Sequence, residues 1–214
     1  MKRLVLILAV MSIAVSLFAQ TGGLIPVPAS GNWGFAGGRY YQNDANARLA
    51  KANLRVPQSD FMVYDFNVRL ESGIEDGHGG IGIHLFVDEA FNAASWGAGR
   101  SYLLWLNYDE APVSSDIDSG LSAQIYKSIN NSTMELMESI PLNHVLPLIT
   151  DRMLANPVSF RIEADGNTGE IRVYDPMDLS IYYPLYVDYS DLPLSGDWVA
   201  IRTNGLSVSF QEGL

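Results

Sequence analysis

The sequence contains no cysteine, so neither a disulfide framework nor a lipid-bearing amino-terminal cysteine is available to it, and packing and hydrogen bonds must carry its stability. Lysine is nearly as scarce. Of 13 basic residues only Lys2, Lys51 and Lys127 are lysines, and none of the basic residues after the amino terminus forms a run. Against 24 acidic residues the net charge is -11. Such a chain repels phosphate backbones, which excludes nucleic-acid binding. Long apolar runs are also missing beyond the first 19 residues, so no membrane insertion of the remaining chain is expected.

What the amino terminus does have is a short basic start, Met1-Lys2-Arg3, followed by an almost unbroken apolar run over residues 4–17 and then Ser16-Leu17-Phe18-Ala19-Gln20. This is the pattern of a secretory signal peptide cleaved near Ala19, and it predicts a periplasmic or secreted protein. Removing residues 1–19 leaves 195 of the 214, and losing Lys2 and Arg3 takes the charge from -11 to -13. Residues 20–32 carry Gly22, Gly23, Pro26 and Pro28 and read as a flexible lead-in. Residues 33–214 fit one domain with a sizeable core.

The apolar pattern of that domain has period two, which sends alternate side chains to opposite faces of a strand. Met62, Tyr64, Phe66, Val68 and Leu70 share one face of a strand, with Asp65, Asn67 and Arg69 on the other. Ile81, Ile83, Leu85 and Val87 repeat the form, as do Tyr102, Leu104, Leu106 and Tyr108. Alternation returns over residues 121–126, 133–140 and 158–163. The last leads through Asp165-Gly166-Asn167-Thr168-Gly169 into an extended segment, residues 170–174, as in a hairpin. A final pair, residues 197–203 and 206–211, is joined at Asn204-Gly205. One short helix is expected over residues 145–155, with Pro147 in its first turn and Asn156-Pro157 ending it. About ten strands and one helix predict an all-β fold, a two-sheet antiparallel β-sandwich.

Three segments carry a resemblance. Residues 61–70 lead to the Gly-rich 79–86, the Asp-Gly hairpin lies in 158–174, and 196–210 closes with a glycine, an aromatic and an arginine. In this order the chain resembles the concanavalin A-like lectin and glucanase superfamily, in particular its laminin-G-like bacterial members. The resemblance implies a jelly roll. In the glucanases it would also imply carboxylates spaced Glu-x-Asp-x-x-Glu along one strand, and this sequence has no such spacing.

No other catalytic constellation is present. No Gly-x-Ser-x-Gly elbow occurs, and His78, His84 and His144 do not fall at a zinc-ligand spacing. Glu71, Glu75 and Asp76 read as a solvated turn. The richest stretch is 91–108. Trp96 lies in the Gly-rich Ser95-Trp96-Gly97-Ala98-Gly99-Arg100, and Trp105 and Asn107 share the strand face opposite Leu104 and Leu106. His84 faces the same side if its strand pairs with theirs. Aromatic rings beside Arg100, Asn107 and His84 suit stacking on sugar faces and hydrogen bonds to hydroxyls, and the same tryptophans equally suit a core. Asp109, Asp116 and Asp118 are candidate calcium ligands, oxygen donors of the kind a hard cation takes, and no other cofactor is expected.

These features predict an exported, non-catalytic binding module that recognises a glycan or an envelope protein. A structural subunit of an extracellular or periplasmic assembly is the alternative, since Ser180-Ile181-Tyr182-Tyr183-Pro184-Leu185-Tyr186-Val187 suits a contact with other subunits. A glycoside hydrolase is third.

Overall fold

Alternation makes each strand two-faced, and two sheets built of such strands stabilise one another by stacking their apolar faces. A computed structural model describes residues 25–73, 77–145 and 156–211 and has that arrangement. In chain order the strands are β1 (Val27–Ser30), β2 (Trp33–Ala36), β3 (Arg39–Gln42), β4 (Ala50–Gln58), β5 (Phe61–Gly73), β6 (His78–Val87) and β7 (Ser101–Asp109). There follow β8 (Gly120–Ser128), β9 (Met134–Pro141), β10 (Val158–Asp165), β11 (Glu170–Asp175), β12 (Asp178–Tyr186), β13 (Gly196–Asn204) and β14 (Leu206–Gln211). The first sheet is ordered β1-β4-β13-β6-β7-β8-β9 and the second β12-β11-β10-β5-β14-β3-β2. Both are antiparallel, and no described helix is long and apolar enough to cross a membrane.

The core lies between the sheets. Leu54, Ile83, Leu104, Ile125 and Ile201 face it from the first sheet, and Phe66, Val68, Phe160, Val173 and Phe210 from the second. Each such side chain contributes about 1.5–3 kcal/mol on leaving water. A cavity of about 40 Å³ remains there, lined by apolar side chains including Phe66, Leu106, Phe160 and Ile201. The outer face of the second sheet is solvated and charged: Arg161 reaches both carboxylate oxygens of Asp65 at 2.8 and 3.0 Å, and Arg69 pairs with Glu71 at 2.8 Å.

Three expectations change. The lead-in, residues 20–32, is not wholly a tether, because β1 pairs with β4 at the sheet edge, the position where Pro28, lacking an N–H, is tolerated. Val87 does not point inward. Phe86 adopts φ 55, which reverses the alternation, so that Phe86 joins the core and Val87 packs on the outer side with Ala98, Ala200 and Trp198. Asn204-Gly205 does not close a hairpin but carries the chain from β13 in the first sheet to β14 in the second. The helix expected over 145–155 lies outside the described residues except for Val145, which ends a single 3-10 turn, Asn143–Val145.

Candidate functional site

The outer face of the first sheet is not solvated like its counterpart, and glycine is the reason. On β6, Gly80 and Gly82 stand beside Trp105 of β7, Gly82 directly opposite it. A Cβ on Gly80 would lie 2.3 Å from the Trp105 ring and one on Gly82 2.7 Å from it, so the ring covers both glycines. Only a strand without side chains at those two positions lets an indole settle across it. The ring then reaches β13, the next strand over, where the Arg202 guanidinium carbon lies 5.2 Å from its centroid. Trp105 Nε1 donates to Asn107 Oδ1 at 3.0 Å, which keeps the indole N–H satisfied.

Over this face folds the segment between β6 and β7. Trp96 places its own ring 5.3 Å from the Arg202 guanidinium carbon, while Arg202 Nη1 donates to the Trp96 carbonyl at 2.6 Å. Arg202 therefore holds Trp96 by both backbone and ring, in cation–π contact with two indoles. The exposures differ sharply: Arg202 is 3% exposed and Trp96 58%. Lys51, directly opposite Arg202 on β4, secures the rest of the segment by donating to the Ser95 carbonyl at 3.3 Å, Ser95 Oγ at 2.8 Å and the Gly97 carbonyl at 2.5 Å. Asn53, two residues along, donates to the Phe91 carbonyl at 3.2 Å. Farther across the sheet, Tyr126 donates to Gln124 Oε1 at 2.7 Å and Gln124 to Ser122 Oγ at 2.9 Å.

Electrostatically this face is cationic in an acidic protein. Burial, and secondarily the charge of Arg202, pushes the Lys51 ammonium down to about 7, and burial pushes the Arg202 guanidinium down to about 10. His84 is wholly buried beneath the segment with Nδ1 3.0 Å from Ser101 Oγ, and burial, then Lys51 and Arg202, hold it well below the ordinary histidine value.

Of the residues singled out by sequence, Trp96, Trp105 and Asn107 come together. His84 shares their face, since β6 and β7 do pair, but as a buried neutral support and not a surface donor. Arg100 is exposed, its backbone N–H donating to Asp88 Oδ1 at 3.1 Å, and among the described residues no hydrogen bond or ring contact ties its side chain to the cluster. Asp109 Oδ1 accepts from the Ala111 N–H, and Asp116 donates its own N–H to Ser114 Oγ. Among the described residues no three His, Asp or Glu side chains, Asp109, Asp116 and Asp118 included, are grouped to hold a metal ion. The residues that sequence reasoning missed are Arg202 and Lys51. Each occupies a polar position in an alternating strand, which reads as solvent-facing, and their signal appears only with the strand order.

No protein-family model matches the sequence, and no curated protein matches it. Solved structures do. The chain is similar to the carbohydrate-binding module CBM66 from Bacillus subtilis, at 11% identity over 89% of this chain and 94% of that one, with a TM-score of 0.53. It is similar to a protein of unknown function with a galectin-like fold from Bacillus subtilis, at 10% identity, 88% and 86% coverage and a TM-score of 0.52. The CBM2 module of the evolved Dit of Lactobacillus casei BL23 phage J-1 follows at 14% identity, 86% and 77% coverage and a TM-score of 0.50. At these identities the likeness is one of fold, the concanavalin A-like jelly-roll sandwich expected from the sequence.

Proposed function

We propose that this protein is a glycan-binding module whose ligand lies against Trp96 on the outer face of the first sheet. The observation that carries the reading is the contrast at Trp96, a 58% exposed indole whose ring and carbonyl are both held by a buried arginine. An exposed apolar ring normally swings freely. One fixed in advance loses little entropy when a sugar stacks on it, and the polar groups around it serve hydroxyls. Neighbours of the same fold that are themselves named as carbohydrate-binding modules support the reading, and the amino-terminal signal pattern supports a periplasmic or secreted location for it.

The test is a glycan array probed with the full chain and with Trp96→Ala. The wild type is expected to bind at least one glycan class and the variant to lose that binding at least tenfold, with its thermal midpoint within a few degrees. An array with no signal, or a variant that binds as the wild type does, overturns the proposal. A second reading, contact with an envelope protein or with other subunits of an assembly, has its own observation. Residues 179–181 bulge from the ladder between β11 and β12 with Leu179 and Ile181 exposed, and Met177 is exposed in the turn just before them. Recovery of a stoichiometric protein partner from the envelope fraction beside a silent array would favour it.

A further inference from the structure

Arg202 and Lys51 face each other across neighbouring strands, both almost wholly buried, and like charges so placed repel. Among the described residues, no Asp or Glu forms an ion pair or hydrogen bond with either. The charged and titratable groups felt by Lys51, Arg202 and His84 are one another and the Tyr126 phenol. Lys51 uses its donors on the Ser95 and Gly97 oxygens, as already described, so a local structural role accounts for it. Arg202 is different. Its Nη1 donates to the Trp96 carbonyl and contacts Met134 Sδ at 3.8 Å, yet Nε is buried without a partner, and Nη2 has no hydrogen-bond partner among the described residues. Nε and Nη2 together form one edge of the guanidinium, two parallel donors whose spacing matches the two oxygens of a carboxylate.

We infer that the glycan taken by this site is acidic, and that a sugar carboxylate, as in a uronic acid, pairs with the Nε–Nη2 edge of Arg202 beside Trp96. The inference rests on the glycan-binding reading above and adds the charge class of the ligand. The rest of the molecule argues against an indiscriminate attraction to anions, because a net charge of -11 repels a polyanion everywhere except where cations gather. A preference for an acidic polymer must therefore be local. Planarity favours a carboxylate over a tetrahedral sulfate, since the fork and the carboxylate lie in one plane.

Titration calorimetry of the full chain with paired probes tests this. The probes are oligosaccharides of galacturonate, glucuronate, mannuronate and guluronate, each matched with the same oligosaccharide whose carboxyls have been reduced to alcohols, together with a sulfated galactose oligosaccharide. At least one uronate is expected to bind tenfold or more tightly than its reduced partner, with the gap narrowing as salt is raised. Arg202→Lys, which keeps the charge and loses the fork, is expected to lose most of that gap; Arg202→Met should abolish it, and thermal midpoints would report whether each variant folds. Equal or tighter binding of the reduced forms overturns the inference and leaves the glycan reading standing. Preference for the sulfated probe overturns the carboxylate assignment, and an Arg202→Lys that keeps the full gap overturns the role of the fork. Binding to none of the probes, with a silent array, overturns both.

Discussion

Raising the pH from 7 to about 9.5 is expected to stabilise this protein, and Lys51 is the cause. In the unfolded chain this lysine holds its proton until near 10.5, whereas in the fold burial beside Arg202 lowers it to about 7. Between those values the unfolded state binds more protons, so stability rises with pH. One such group contributes at most about 1.4 kcal/mol per pH unit. The three hydrogen bonds from the charged ammonium to Ser95 and Gly97 favour the protonated fold and reduce the slope, so about 1–2 kcal/mol over the window is the expected gain. Above about pH 10 the sign reverses. Burial raises Tyr40 to about 12 and also raises Tyr64 and Tyr102, while hydrogen bonds to Asp188 and Asp191 raise Lys127, so the unfolded chain sheds these four protons first. Arg202, lowered to about 10, acts with the sign of Lys51 there but is one group against four. Urea titrations at half-unit pH steps should therefore show a maximum between pH 9 and 10, and Lys51→Met should flatten the rise below it. A wild type whose stability is level or falling from pH 7 to 9.5, or a rise that survives in Lys51→Met, would refute the argument.

Two further outcomes follow from the same face. Gly80→Ala should destabilise by about 1–3 kcal/mol, because its Cβ would meet the Trp105 ring at 2.3 Å, and less in a Trp105→Leu background where the obstacle is smaller; equal costs in both backgrounds, read by urea denaturation, would contradict the packing described. On the acid side, stability should fall as pH drops below the ordinary histidine value of 6.5, since unfolded His84 takes a proton that the buried ring refuses; a His84→Gln variant with an unchanged loss between pH 6.5 and 5 would assign it elsewhere.

The two-sheet sandwich was legible because most strands advertise a buried face. Met62 to Leu70 and Tyr102 to Tyr108 alternate large apolar residues with polar ones, and those strands stand where the period placed them. Legibility failed where the alternation used small residues or was reversed. β4 buries Ala50 and Ala52 against the core with Lys51 between them, a pattern whose apolar half is two methyl groups. At Phe86 one residue with positive φ switches the phase, which no periodicity count anticipates. β1 contains Pro28 and follows directly on Pro26, both loop signals, yet an edge strand needs only half of its backbone groups paired.

The site divides along the same line. Trp96, Trp105 and Asn107 draw attention in the sequence because aromatic residues in a Gly-rich neighbourhood stand out within one short stretch of chain. Arg202 lies about as far along the sequence from them as the domain allows, and nothing in Ala200-Ile201-Arg202-Thr203 distinguishes its arginine from a solvated one. What makes it central is topology: β13 enters the first sheet between β4 and β6, so that Arg202 faces Lys51 on one side and Gly82 on the other. Gly82 admits the Trp105 ring, the ring meets the guanidinium, and the guanidinium holds Trp96. This face places two buried basic side chains side by side with no carboxylate to either among the described residues, and only Lys51 spends its donors fully on its own loop. Among the described residues the Nε–Nη2 edge of Arg202 is thus a pair of parallel donors left without a hydrogen-bond partner, and an anionic ligand is the partner its chemistry fits.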